Sequence, residues 1–169
     1  MQAKTIEKLH AREMLQRVRT QVVNQNKRKS KWAIIRNTHA ELIDTTLNTF
    51  LDHIPEMLCP EYELRLIQSE STILAYLTMT LTDKTVVESE FIFLALDKDE
   101  DIHKLMNLAL TGVWINEAEE IPLSVVKLAR CRVQRYPSKR DGGYNWSGVL
   151  MDTNPPDAER WTVSTVTGE

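Results

Sequence analysis

The ten residues VWINEAEEIP, numbers 113–122, decide the fold class. With Gly112 in front, Val113-Trp114-Ile115 is an apolar run too short for a helix, and it stops at once on Asn116-Glu117. A strand buried on both faces of a parallel sheet reads this way, as a bare apolar run rather than an alternation. Working outward, Trp32-Ala33-Ile34-Ile35 stops on Arg36-Asn37-Thr38, Glu90-Phe91-Ile92-Phe93-Leu94-Ala95-Leu96 stops on Asp97, and Gly148-Val149-Leu150-Met151 stops on Asp152-Thr153-Asn154-Pro155-Pro156. Short buried strands separated by helical segments are the mark of an α/β sheet. In such sheets functional groups gather where strands end, so these polar stops are the positions to inspect.

The segments between the strands have their own periods. Residues 3–24 lack Gly and Pro, and Ile6, Leu9, Met14, Leu15, Val18 and Val22 fall near helical spacing among Arg and Lys, which predicts an amphipathic helix with a basic polar face. NQNKRKSK then reads as a charged loop. Thr38, with Glu41 three residues on, opens a capping-box helix carrying Leu42, Ile43, Leu47, Phe50, Leu51 and Ile54, with Pro55 as its stop. Residues 62–82 predict one or two strands with a turn near 68–71 or 82–84. DKDEDIHKLMNLAL predicts an acidic-started helix and 123–134 another, while YPSKRDGGYNW reads as a mobile loop.

At 169 residues and 42% apolar the chain suits one domain. Its five glycines are Gly112, Gly142, Gly143, Gly148 and Gly168, so nothing before residue 112 can form a glycine-rich phosphate loop. Residues 1–36 hold ten Lys or Arg and two Glu; the net charge of −3 therefore hides a basic head on an acidic body. Cys59 and Cys131 have no CxxC pairing, and the four His share no ligand spacing, so neither a disulfide framework nor a metal site is indicated. No signal peptide or membrane-length apolar run is present, which predicts a soluble chain that is not secreted.

Two strand ends carry candidate chemistry. Four apolar residues before an acidic pair is the layout of a Walker B strand, whose first polar residue positions Mg²⁺ through water and whose second, a glutamate, activates the water that attacks a γ-phosphate. Asn116 stands in the first place and Glu117 in the second. A neutral amide gives no charge to a hard cation, and the alternative reading is a plain strand end followed by a solvated acidic turn. At the end of Gly148–Met151, Thr153 and Asn154 could sense a γ-phosphate; TNPP also suits an ordinary Asx/Pro turn. Arg130, Arg132 and Arg135, with Lys139 and Arg140, suit phosphate or DNA contacts, or surface salt bridges.

The strings IIRNT, FLALD, LTGVWINEAEEIP, RYPSK and MDTNPPD occur in one order over residues 14–161, and in this the chain resembles the ATPase domain of tailed-bacteriophage terminase large subunits, the DNA-packaging motors. The resemblance implies a P-loop NTPase-like, mostly parallel sheet flanked by helices, here lacking the Walker A strand and loop. It implies Glu117 as the catalytic glutamate, Asn116 as the metal-proximal Walker B residue and Thr153-Asn154 as the coupling motif. Arg36, at the end of its strand, and Arg132 and Arg135, matching a basic RxxRYP segment, become possible phosphate or DNA contacts; Gln134 departs from the glycine more usual there. Lys4-Thr5 is a degenerate trace of the Walker A Lys-Thr, without a preceding glycine.

By the same resemblance the chain is a single partial domain, with a basic helix and loop at 1–31 and a sheet core at 32–161. It ends at Glu169 before a C-terminal nuclease domain could begin. ATP and Mg²⁺ are the implied ligands of the parent family. Double-stranded DNA, the portal protein, the small terminase subunit and further copies in a ring are the implied partners, in the cytoplasm of a bacterial host carrying the phage or prophage. The expectation for this chain is a fragment inactive on its own. Two rival readings stand beside it: a non-catalytic DNA- or motor-binding module using residues 1–36 and 130–140, or an incomplete gene model of an intact terminase.

Overall fold

The computed structural model describes residues 2–57, 61–69, 72–96 and 99–153. Helix α1 (Gln2–Arg19) leads into a β-hairpin of β1 (Val23–Asn24) and β2 (Lys27–Arg36). Next come α2 (His39–Glu41), a π-helical turn (Leu42–Leu47) and α3 (Asn48–Met57), which follow one another without a break. Strands β3 (Tyr62–Gln68), β4 (Ile73–Thr80) and β5 (Val86–Ala95) are followed by α4 (Asp99–Met106), β6 (Gly112–Ile115), α5 (Leu123–Arg132) and β7 (Gly148–Met151). Single 3₁₀ turns lie at Ala118–Glu120 and Lys139–Asp141.

The sheet runs β3-β4-β5-β2-β6-β7, with β1 beside β2. Its core β5-β2-β6-β7 is parallel, and β3 and β4 extend it as an antiparallel meander. The parallel α/β sheet expected from the apolar runs is therefore present, and β6 and β7 have the bounds those runs predict. Strand side chains alternate between two cores. Trp32, Ile34, Phe91, Phe93 and Trp114 face α1 and α3, packing on Met14, Leu15, Val18 and Phe50. Ala33, Ile35, Ile92, Leu94, Val113 and Ile115 face α4 and α5, packing on Leu105, Val125, Val126 and Ala129. Trp32 in turn stacks on Trp146 with ring centroids 5.4 Å apart, so the segment read as a mobile loop contributes an aromatic cover to the core.

Several boundaries differ from the sequence reading. Helix α1 ends at Arg19, short of 24, because Thr20 and the buried Gln21 turn their side chains back onto the carbonyls of Gln16 and Arg17. Leu9, counted on the apolar stripe, is 57% exposed, whereas Ala11 is buried. KRKSK is strand, not loop. Gln25 and Asn26 both take positive φ, which makes a tight hairpin turn of the primed type, and Lys27 and Lys31 then pair with Glu88 and Glu90 of β5 at 2.7 and 3.3 Å. The helix opened by Thr38 runs on through Pro55 to Met57; in its last turn a proline forfeits little more than one intrahelical bond. β3 pairs antiparallel with β4 and β4 with β5, so the chain reverses near both suggested positions, of which residues 70 and 71 lie outside the described residues. Asp97 lies outside the described residues, and α4 is described from Asp99.

Candidate functional site

The carboxyl ends of β2, β6 and β7 lie side by side, because these three strands are parallel neighbours. They bring together Arg36, Asn116-Glu117 and Asp152-Thr153, which are scattered along the chain. Local sequence explains the stops of β2 and β6: after three or four wholly buried apolar residues, the next position reaches the end of the packed core, where polar groups can find partners, whereas the apolar run of β7 is only half-buried, because β7 ends the sheet.

Arg36 is the hub. Its side chain is 5% exposed, and its Nη2 lies 2.6 Å from Glu117 Oε2. Nη1 donates to Asn116 Oδ1 at 3.2 Å, and Nε faces Glu41 Oε2 at 3.6 Å, too far for a hydrogen bond. Burial opposes the Arg36 charge, but the hydrogen bond and charge of Glu117, with Glu41 and Glu120 behind it, prevail and raise its pKa above the ordinary value. Burial also pushes the Glu120 carboxyl above its usual range; Arg36 works against this shift and the neighbouring Glu41, Glu117 and Glu119 reinforce it.

Asn116 is fully buried and its amide is engaged on both sides. Oδ1 also accepts from Thr46 Oγ1 at 2.7 Å, a residue supplied by the π-helical turn, while Nδ2 donates to Asp152 Oδ1 at 2.8 Å. Widened π turns recur at functional positions, where they re-aim one side chain. Glu117 takes a left-handed conformation, φ 52° and ψ 62°, and its carboxylate remains 23% exposed. Its N–H is held by Asp152 Oδ1 at 2.7 Å. Strand-end reading placed Asp152 among the positions to inspect but gave it no role, and it did not reach Thr46. Asp152 had a usable signal, as the first polar residue after β7, whereas nothing in the spacing of the helix singles out Thr46.

Other expected site residues lie elsewhere. Arg132 and Arg135 are at the opposite end of β6, next to its start, where they cap carbonyls of Met106 and Cys131 at 2.7 and 2.8 Å. They do not join Glu117 within one copy of the chain. Thr153 follows β7 directly; Asn154 lies outside the described residues. Lys4 and Thr5 fall in the first turns of α1.

These residues do not make a ready Mg²⁺ site. Among the described residues no group of three or more His, Cys, Asp or Glu could hold a metal ion. The Asn116 amide is turned to Arg36, Thr46 and Asp152 rather than toward a metal-bound water. What the arrangement offers chemically is one carboxylate, Glu117, at the surface of a buried polar network and restrained by a guanidinium.

No protein-family model matches the chain, and no curated protein matches it in sequence. Solved structures do match. The large terminase of a thermophilic bacteriophage superposes with a TM-score of 0.64 at 14% identity, over 90% of this chain and 32% of that one. A second crystal form of the same terminase gives 0.56 at 15% identity, over 88% and 29%. The chain has the fold of one part of a phage large terminase. A structure of that terminase in complex with ATP-gamma-S also superposes, with a TM-score of 0.52 at 12% identity, over 75% of this chain and 25% of that one. The chain thus spans about a third of the length of the large terminase it matches. Among the described residues no helix is long and apolar enough to cross a membrane.

Proposed function

We propose that this chain is the part of a DNA-packaging ATPase that carries the hydrolytic glutamate, Glu117. The observation that carries the reading is the position of Glu117 in a large-terminase fold: a partly exposed carboxylate on a left-handed turn directly after a buried parallel strand, at the carboxyl edge of the sheet. A carboxylate there can take the proton of a water aimed at the γ-phosphate, once it has left Arg36. Thr153 and Asn154, at the end of the next strand, would carry the change on phosphate loss to a DNA-gripping element. Arg132 and Arg135, remote from Glu117 in one copy, would serve DNA or the nucleotide of an adjacent copy. ATP is the substrate in this reading and double-stranded DNA the cargo, moved into a procapsid by a ring of copies acting with a portal and a small terminase subunit.

On its own the chain is expected to be inactive, since the residues before Gly112 include no glycine to wrap phosphates. Incubating the isolated chain with MgATP and measuring phosphate release tests this. No turnover is expected, and turnover that disappears in Glu117→Gln would overturn the claim of inactivity. Salt-sensitive DNA binding indifferent both to ATP and to Glu117→Gln would favour the non-catalytic binding module.

A further inference from the structure

Asp152 is bonded to every one of five consecutive residues at the end of β6. Its Oδ2 accepts from Trp114 Nε1 at 2.7 Å, its N–H donates to Ile115 O at 3.1 Å, and its Oδ1 accepts from Asn116 Nδ2 at 2.8 Å and from Glu117 N at 2.7 Å. Its own carbonyl accepts from Ala118 N at 2.8 Å. The residue is 5% exposed. A buried carboxylate persists only where hydrogen bonds replace its water, and here three side-chain bonds do so.

We propose that Asp152 is the positioning residue for Glu117, and that Asn116 is its matched partner. This rests on reading Glu117 as the hydrolytic glutamate. The left-handed conformation of Glu117 is unfavourable for a residue with a Cβ and persists only where its surroundings hold it. The bond from its N–H to Asp152 supplies that restraint. Asn116 turns its oxygen to two donors, Arg36 and Thr46, and its nitrogen to the Asp152 acceptor. An aspartate at 116 would have no proton to offer Asp152 and would set two carboxylates at hydrogen-bond distance. The amide in the Walker B-like place is therefore the form that a carboxylate on the neighbouring strand requires. A displacement of residues 152–153 reaches the Glu117 main chain through these same bonds, with no intervening side chain.

Nuclear magnetic resonance on the full chain without nucleotide tests the proposal, so its failure and a failure of the ATPase reading remain separable. In the wild type, correlations through hydrogen bonds are expected from the Glu117 amide nitrogen and the Trp114 indole nitrogen to the Asp152 side-chain carboxyl carbon. Absence of the Glu117 correlation overturns the proposal. In Asn116→Asp and in Asp152→Ala, the Glu117 Cα and Cβ shifts should leave their left-handed values and its amide exchange should rise about tenfold or more, while the β2 and β5 amides keep theirs. Wild-type Glu117 shifts in both single variants would overturn the proposal.

Discussion

Arg36 Nη2 and Glu117 Oε2 stand 2.6 Å apart, joining the ends of two adjacent parallel strands by an ion pair whose cationic partner is almost wholly buried. The pair fixes a carboxylate that is still partly exposed at the site. It also engages a guanidinium whose other neighbours are an amide oxygen at 3.2 Å and, facing Nε at 3.6 Å, a glutamate beyond hydrogen-bond distance.

Arg36→Ala strips donors from both Asn116 and Glu117 and leaves a cavity. Breaking a largely buried pair in this way costs about 3 kcal/mol. Glu117→Gln leaves an amide oxygen to accept from Arg36 but removes the counter-charge of the buried guanidinium, and should cost about 2 kcal/mol. Urea unfolding of the two variants should show this order with unchanged dependence on denaturant.

Thr38 Oγ1 accepts from Glu41 N at 3.4 Å and donates to Glu41 Oε2 at 2.9 Å. Thr38→Ala should destabilise the protein by about 1 kcal/mol. Amide exchange should speed in residues 39–42, ahead of the rest of the sheet.

Gly112 opens β6 against the face of Trp32, and a Cβ there would overlap three atoms of the indole. Trp32 is fully buried and stacked on Trp146, so it cannot step aside. Gly112→Ala should lower stability by about 2–3 kcal/mol. Near-ultraviolet circular dichroism should lose the signal of the stacked indoles.

Asp83, in the turn between β4 and β5, accepts from the Thr85 hydroxyl at 2.6 Å, the Thr85 N–H at 2.9 Å and Arg28 Nη2 at 2.9 Å. The Thr85 hydroxyl, then the Thr85 N–H and Arg28, hold its pKa down to about 2. Because the folded value lies below the unfolded one of about 4, the stabilisation is complete above that unfolded value. It is lost as pH falls from there through the folded pKa. Asp83→Asn should therefore show a shallower loss of stability between about pH 4 and pH 2 than the wild type, and Thr85→Val should raise the Asp83 pKa when its carboxyl is titrated by NMR.

The interior strand β6 was legible because burial on both faces leaves nothing but apolar residues between a glycine and a polar stop; β7 shows the same apolar run although it lies at the end of the sheet, half-buried, with Met151 exposed. The first half of β2 was not. Lys27, Lys29 and Lys31 look like loop until β5 is placed beside them, since Glu88 and Glu90 give Lys27 and Lys31 partners and the buried Ser30 bonds Ser89 at 2.7 Å. The strand ends likewise pointed to Arg36, Asn116 and Glu117 one at a time. Their pairing, and the parts of Thr46 and Asp152, depend on which strands are neighbours and on a π turn, and short-range periodicity encodes neither.

The central claim, that Glu117 activates the water in ATP hydrolysis, is tested most directly in a protein that joins this chain to a strand and GxxxxGK[ST] loop ahead of Met1. Single-turnover hydrolysis of MgATP should appear there and fall by about 10²–10⁴-fold in Glu117→Gln, with ATP-gamma-S bound equally well by both. Hydrolysis by Glu117→Gln at the parent rate would contradict the account.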